Sequence, residues 1–74
     1  MAHAPTEFAV RGDHITLDAL LKACGVVGSG GEAKVRIAAG EVLVDGEVET
    51  RRGRKLRAGQ TARCGDWSVR LTAG

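Results

Sequence analysis

The amino-acid sequence predicts an α+β domain in which two helices pack on a small antiparallel sheet. Two observations predict this class. Apolar residues recur with the spacing of a helix over residues 17–39, and from residue 41 onward they alternate with the period of a strand. At 74 residues, the chain is long enough for one domain with a small core. We expect a flexible tail over residues 1–6 and a single domain over residues 7–74.

The first predicted elements are a short strand and a helix. Apolar and polar residues alternate over residues 7–11, which is typical of a strand, and Gly12-Asp13 then turns the chain. Thr16 is the expected N-cap of the helix, and Gly25 is well placed to end it. Apolar residues at i, i+3, i+4 and i+7 predict its buried face: Leu17, Leu20, Leu21 and Cys24.

A capping box marks the start of the second helix. Ser29 is expected to accept from a backbone N–H three residues on, while Glu32 reaches back to the N-cap. The helix should end just before Gly40. Gly30 and Gly31 stand in its first turn, although each glycine costs roughly 1 kcal/mol there relative to alanine. Close approach of a partner to the backbone is one explanation for these glycines.

The rest of the chain predicts strands joined by tight turns. Val42 and Val44 are expected to point inward, and Asp45-Gly46 is a strong signal for a two-residue hairpin turn. Another turn is expected at Ala58-Gly59, and residues 61–71 predict a final hairpin.

Positive charge is concentrated in one stretch of the sequence. Residues 51–63 hold six cations and no acid, a local charge of +6, and because the whole chain carries +2 the remainder carries −4. Such polarisation is typical of an anion-binding surface. Because Arg52 and Arg54 share the parity of the apolar Leu56, a regular strand cannot place all the charges on one face. We therefore expect an irregular stretch or bulge at Gly53, with Leu56 anchored in the core.

Two interpretations of this stretch remain open. A charged edge strand that discourages aggregation is the simpler one. Phosphate binding is favoured because arginine, which outnumbers lysine here, offers a planar fork that fits two phosphate oxygens. The N–H groups at the start of the second helix, and Lys34 one turn into it, would extend such a surface.

Aromatic content restricts the kind of nucleic acid. Single-strand binders stack bases on exposed aromatic side chains. Phe8 and Trp67 are the aromatic residues of this chain, and we expect both in the core because they occupy inward strand positions. Recognition should then rest on phosphates, 2′-hydroxyls and the shape of folded RNA.

Several classes of function are not expected. Cys24 and Cys64 are far apart and have no suitably spaced histidines, so we expect buried thiols, no metal and no disulfide. His14 beside Asp13 is a common turn pair, and we expect no catalytic residue, cofactor or small-molecule substrate. No export signal or membrane span is recognisable, and the expected location is the cytoplasm.

Several short stretches follow one another in a characteristic order: Leu17-Asp18-Ala19-Leu20-Leu21-Lys22, Ser29 with Ala33-Lys34 and Ile37, Gly40-Glu41-Val42-Leu43-Val44-Asp45-Gly46, Arg51-Arg52-Gly53-Arg54-Lys55-Leu56 and Ala58-Gly59-Gln60. Together they resemble the αL RNA-binding motif of the ribosomal protein S-four superfamily. The stretch Arg51-Arg52-Gly53-Arg54-Lys55-Leu56, with Ser29-Gly30-Gly31, resembles the small stand-alone bacterial members still more closely. The resemblance implies RNA binding by the helix pair and the adjoining hairpin. It places on the RNA-facing surface Lys22, Ser29, Lys34, Asp45 and Gly46.

Two positions depart from the family pattern. Arg36 stands where many members carry an apolar residue, and Gly30-Gly31 replaces the basic residue that often follows the serine. Binding should therefore depend more on the arginine-rich stretch than on the second helix.

The sequence thus predicts a non-catalytic domain that grips structured RNA, with ribosomal or transfer RNA as the expected class and the ribosome or a ribosomal precursor as a candidate partner. An adaptor that docks an acidic protein partner is the alternative, supported by Leu43, which should face away from the core. The candidate RNA-binding residues are Lys22, Ser29, Gly30, Gly31, Lys34, Arg36, Asp45, Gly46, Arg51, Arg52, Arg54, Lys55 and Arg57.

Overall fold

A computed structural model describes residues 6–74 as two helices and seven strands. In chain order these are β1 (Thr6–Val10), β2 (Ile15–Thr16), α1 (Leu17–Ala23), α2 (Gly30–Ala38), β3 (Val42–Val44), β4 (Glu47–Val48), β5 (Lys55–Leu56), β6 (Thr61–Cys64) and β7 (Trp67–Ala73). The predicted tail lies outside the described residues except for Thr6, which begins β1.

The α+β class is confirmed, but the main sheet is mixed rather than antiparallel. Its five strands have the order β1-β7-β6-β3-β4, and a separate two-stranded sheet pairs β2 with β5. β1 runs parallel to β7, from Thr6 opposite Val69 to Val10 opposite Ala73, while the other ladders are antiparallel. Residue spacing predicts which face of a strand is buried, but it carries no information about which distant strand becomes its neighbour.

The core is one cluster built from both helices and the inner face of the main sheet. Fully buried members include Leu20 and Leu21 of α1, Ile37 of α2, and Val42 of β3. The aromatic side chains of Phe8 and Trp67 pack against this cluster but remain half-buried, so the prediction that they are core residues is correct only in part.

The cysteines differ from each other in exposure. Cys64 is buried and Cys24 is half-buried, and both thiols are free. Burial raises the pKa of the Cys24 thiol.

Both helices end as the sequence predicts. Gly25, which follows α1, has a φ of 74°, and Gly40, which follows α2, has a φ of 79°. At the start of α2, the Ser29 hydroxyl accepts from the Glu32 N–H at 3.2 Å. The Glu32 carboxylate reaches one residue further back than a capping box requires and accepts from the Gly28 N–H at 2.9 Å.

Candidate nucleic-acid interface

Residues 51–57, here called the arginine segment, begin with a tight turn. The Arg54 N–H donates to the Arg51 carbonyl at 3.2 Å, with Arg52-Gly53 at the apex. The chain then enters β5, where Leu56 is fully buried and pairs with Ile15 of β2. The predicted irregular stretch anchored by its leucine is therefore confirmed, as a turn rather than as a bulge.

Backbone contacts hold this turn against the start of α1. Thr16 is the N-cap residue of α1, but its side chain makes no capping hydrogen bond. Instead, the N–H groups of Leu17 and Asp18 donate to the carbonyls of Arg54 at 2.9 Å and Arg52 at 3.1 Å. Carbonyl groups of the arginine segment thus satisfy donors that a helix start normally leaves unpaired. The segment is therefore fixed to the domain at several points of its backbone.

A buried carboxylate lies behind the arginine segment. Glu49 is 7% exposed, and its carboxylate accepts from the backbone N–H, Nε and Nη2 of Arg51 at 3.0, 3.1 and 3.2 Å. It also accepts from Arg54 Nη1 at 2.6 Å. Side-chain hydrogen bonds from Arg51, and then the one from Arg54, lower the pKa of Glu49 to about 2. The carboxylate therefore stays ionised and paired at neutral pH.

The expectation that the segment lacks a compensating acid is wrong, because Glu49, two residues before the predicted stretch, pairs with two of its arginines. The hairpin pattern in the sequence contains a signal for the burial of Glu49. Leu43 pairs with Val48, and the Glu49 N–H donates to the Val42 carbonyl at 3.0 Å, which places Glu49 beside an inward-facing residue of β3. Strand alternation through the hairpin could therefore have indicated a buried acid next to the arginines.

The other cations of the segment differ in their pairing. Arg57 Nη2 lies 3.3 Å from Asp13 Oδ2, and His14 Nδ1 contacts the same oxygen at 3.3 Å. Hydrogen bonds from His14 and then Arg57 lower the pKa of Asp13. Arg52 and Lys55 are exposed and make no ion pair within residues 6–74. With five cations and two contacting carboxylates, the segment and its partners carry +3.

Most of these cations line one shallow, open groove. The groove is lined by five residues of the segment: Arg51, Gly53, Arg54, Lys55 and Arg57. Arg52, at the apex of the turn, is not among the lining residues. Arg51 pairs with Glu49 yet leaves 73% of its side chain exposed. Four of the five predicted cations thus line the same groove. The ion pairs with Glu49 and Asp13 leave these cations accessible to solvent.

The predicted residues at the α2 start are accessible, but they do not form part of this groove. The Ser29 hydroxyl is engaged in capping. A Cβ at Gly30 would meet nothing within 4 Å, and one at Gly31 would lie 3.8 Å from the Ser29 hydroxyl, with no left-handed φ at either glycine. Neither glycine is therefore required by the local backbone. Lys34 and Lys22 are exposed and make no ion pair within the described chain.

Arg36 has structural contacts within the domain. Its Nε lies 3.7 Å from Glu32 Oε2, and its Nη1 lies 3.8 Å from Cys64 Sγ. The hydrogen bond to Cys64 is the main reason why the pKa of Arg36 is raised. Its side chain therefore lies between α2 and β6, which explains how an arginine can replace an apolar residue at this position.

Asp45 and Gly46 shape the β3–β4 turn. Asp45 has a φ of 52° and Gly46 a φ of 85°, as the predicted hairpin turn requires. The Asp45 carboxylate accepts from Gln60 Nε2 at 3.0 Å and from the Thr61 N–H at 2.9 Å, contacts that lower its pKa. These contacts give Asp45 a structural role, because they tie the turn to the start of β6.

Within residues 6–74, no group of three or more His, Cys, Asp and Glu side chains lies where it could hold a metal ion. None of the helices described there has the length and apolar character needed to cross a membrane.

The sequence profile of the S4 domain family matches residues 8–72. The chain belongs to the S4 domain family. This match confirms the resemblance to the ribosomal protein S-four superfamily. It also extends on both sides of the stretches, between Leu17 and Gln60, on which the resemblance was based. The S4 domain is an RNA-binding domain and does not define an enzyme family.

Curated relatives of this S4 domain include proteins of Escherichia coli and Bacillus subtilis. The Escherichia coli K12 protein named "Putative RNA-binding protein YbcJ" is 48% identical over 60 residues, which cover 81% of this chain and 86% of YbcJ. The Bacillus subtilis 168 protein named "Probable ribosome maturation protein RlbA" is 51% identical over 45 residues, covering 61% of this chain and 63% of RlbA.

A solved structure supports the fold of this S4 domain. The solution structure of E. coli YbcJ, described as containing an αL motif involved in RNA binding, has a TM-score of 0.73 and 42% sequence identity. The likeness covers 99% of this chain and 98% of YbcJ. This S4 domain therefore has the αL fold.

Proposed function

We propose that this S4 domain is a non-catalytic RNA-binding protein that grips structured RNA through phosphate contacts of the arginine segment. The proposal rests on the groove lined by Arg51, Arg54, Lys55 and Arg57. The backbone of the arginine segment that forms this groove is hydrogen-bonded to the start of α1. The family and the name of YbcJ support RNA as the ligand. The proposed location is the cytoplasm.

The electrostatics favour an anion over a neutral ligand. The segment with its two contacting carboxylates carries +3. Arginine and lysine contacts to phosphates supply most of the sequence-independent affinity for RNA. Since Phe8 and Trp67 pack against the core, they are poor platforms for stacked bases. The protein should therefore prefer folded or duplex RNA to single strands.

Ribosomal RNA or transfer RNA is the proposed class of ligand, in a ribosome or a ribosomal precursor. RlbA, a relative, is named as a ribosome maturation protein, and this supports the ribosomal context. A chain of 74 residues that recognises phosphates and RNA shape has few contacts to base edges. It therefore needs a large, folded RNA to bind specifically.

Binding should be measured by fluorescence anisotropy against bulk bacterial transfer RNA and ribosomal RNA fragments, with an unstructured RNA of equal length as comparison. If about four phosphates are neutralised, log K should fall against log salt concentration with a slope of about −3 to −4. The substitutions Lys55→Glu and Arg57→Glu, both in the groove lining, should together weaken binding to all structured RNAs alike, since phosphate contacts carry no sequence information.

A matched control is available on the outer face of the sheet. Arg63 and Arg70 are exposed and alternate with buried residues of β6 and β7, so Arg63→Glu with Arg70→Glu changes the net charge equally. The control should lose much less affinity than the segment variant. Equal losses in both variants, or a salt slope near zero, would contradict the proposal.

A protein partner is the second candidate function. Leu43 pairs across the hairpin with Val48, which is 59% exposed. The two side chains form a small apolar patch on the outer face of the sheet. Exposed apolar pairs are common on monomers, so this surface gives weaker support than the cationic groove. If an acidic protein stays bound after nuclease treatment and is released by Leu43→Ser, the adaptor function gains over RNA binding.

A further inference from the structure

The two central arginines separate two different surfaces. On one side lies a hollow that Arg51 and Arg54 share with Val44, Val48 and three acidic residues, Asp45, Glu47 and Glu49. On the other side lies the cationic groove, whose lining contains no acid. Carboxylates repel an anion from the hollow, while the groove attracts it. A phosphate can therefore approach the arginine pair favourably from one side.

Glu49 uses only part of the donor capacity of each guanidinium group. A guanidinium has five N–H donors. Arg51 gives Glu49 two of them, from Nε and Nη2, so three remain, and Arg54 gives one from Nη1, so four remain. Both arginines can thus bind a second acceptor without leaving the carboxylate.

Gly53 lines the same groove as the two arginines. Its φ lies outside the left-handed region, and a Cβ built there would meet nothing within 4 Å. The backbone of the turn therefore does not require glycine. A larger side chain at this position would occupy space in the groove lining.

We propose that Glu49 is a positioning residue, which holds Arg51 and Arg54 from behind so that their remaining N–H groups converge on one RNA phosphate in the groove. The inference rests on the proposed RNA binding. Long arginine side chains lose rotamer freedom when they bind a ligand, and prior fixation by a buried carboxylate reduces that loss. Glu49 thus increases affinity for phosphate although it carries the same sign of charge.

This inference predicts the sign of a mutational effect. Glu49→Gln makes the net charge more positive by one, and if Glu49 only weakened the field of the groove, RNA affinity would rise. Under the positioning role, affinity for bulk transfer RNA should fall roughly tenfold, the equivalent of about 1.4 kcal/mol. Glu47→Gln is the matched control, because Glu47 is exposed, borders the same hollow and makes no ion pair within residues 6–74.

The experiment combines affinity, salt dependence and NMR. Fluorescence anisotropy with bulk transfer RNA gives the Kd of the wild type, Glu49→Gln and Glu47→Gln at several salt concentrations, corrected for the folded fraction. The salt slope of Glu49→Gln should become shallower by about one, as expected for one lost phosphate contact. A role in folding alone would leave that slope unchanged. In the free wild type, the Arg51 Nε–H resonance should be protected from exchange.

The outcomes separate this inference from the proposed function. Failure of the wild type to bind RNA overturns the proposed function. Normal wild-type binding with equal or higher affinity in Glu49→Gln overturns the positioning role alone, as does a freely exchanging Arg51 Nε–H. If Glu49→Gln does not fold, Arg54→Lys replaces it: the charge is kept but the fork is lost, and affinity should fall roughly fivefold. Wild-type affinity in that variant also overturns the role.

Discussion

Acid should destabilise this S4 domain through protonation of Glu49. Its pKa is lowered from the ordinary value of 4.5 to about 2, so the unfolded chain takes up this proton more readily than the folded one. The resulting stabilisation is fully present above about pH 4.5 and is lost as the pH falls through about 2. The difference between the two pKa values corresponds to at most about 3.4 kcal/mol. The side chain of Arg51, which pairs with Glu49, is 73% exposed. Screening by solvent should therefore reduce the stabilisation from Glu49 to about 1–2 kcal/mol.

Urea unfolding at pH 7, 5, 4, 3 and 2.5 would measure this effect, with fluorescence of the single, half-buried Trp67 as the signal. Comparison with Glu49→Gln isolates one group, because Asp13 and Asp45 also have lowered pKa values and titrate in both proteins. The stability difference between wild type and variant should be largest at neutral pH and shrink toward zero near pH 2. A difference that stays constant across this range would refute the linkage between Glu49 ionisation and folding.

Three further predictions concern stability, each measured by the same urea assay at pH 7. Leu56→Ala should cost about 2–5 kcal/mol, because this fully buried side chain anchors the arginine segment; a loss below about 1 kcal/mol would show that the anchor is dispensable. Ser29→Ala removes the hydroxyl that caps α2 and should cost about 1 kcal/mol, while Ser29→Thr should keep most of that stability. Gly25→Ala, at a φ of 74°, should cost about 1–2 kcal/mol, whereas Gly53→Ala should change stability by less than about 0.5 kcal/mol. Equal effects at both glycines would contradict the backbone argument.

Local signals in the sequence predicted both helices and the strands of the main sheet, but they did not predict the two-stranded sheet of β2 and β5. The i, i+3, i+4 spacing of Leu17, Leu20 and Leu21 gave the buried face of α1, because a helix brings these positions together whatever surrounds it. Ser29 began α2, where its hydroxyl caps the backbone three residues on. The parallel pairing of β1 with β7 was not predictable in this way, since it joins segments about sixty residues apart.

The sequence determined which residues the chain contains and which local elements they form. The tertiary structure determined which of those residues become neighbours. The sequence alone established a small α+β domain with a cluster of arginines, because composition, periodicity and turn residues act locally. Only the fold decided which of those cations share a groove and which are paired. Glu49 shows the reason: strand alternation can indicate that its side chain points inward, but its pairing with Arg51 and Arg54 arises only where the β3–β4 hairpin meets the turn that caps α1. The free energy of a charge depends on such neighbours, so the electrostatic character of this surface is a property of the folded chain.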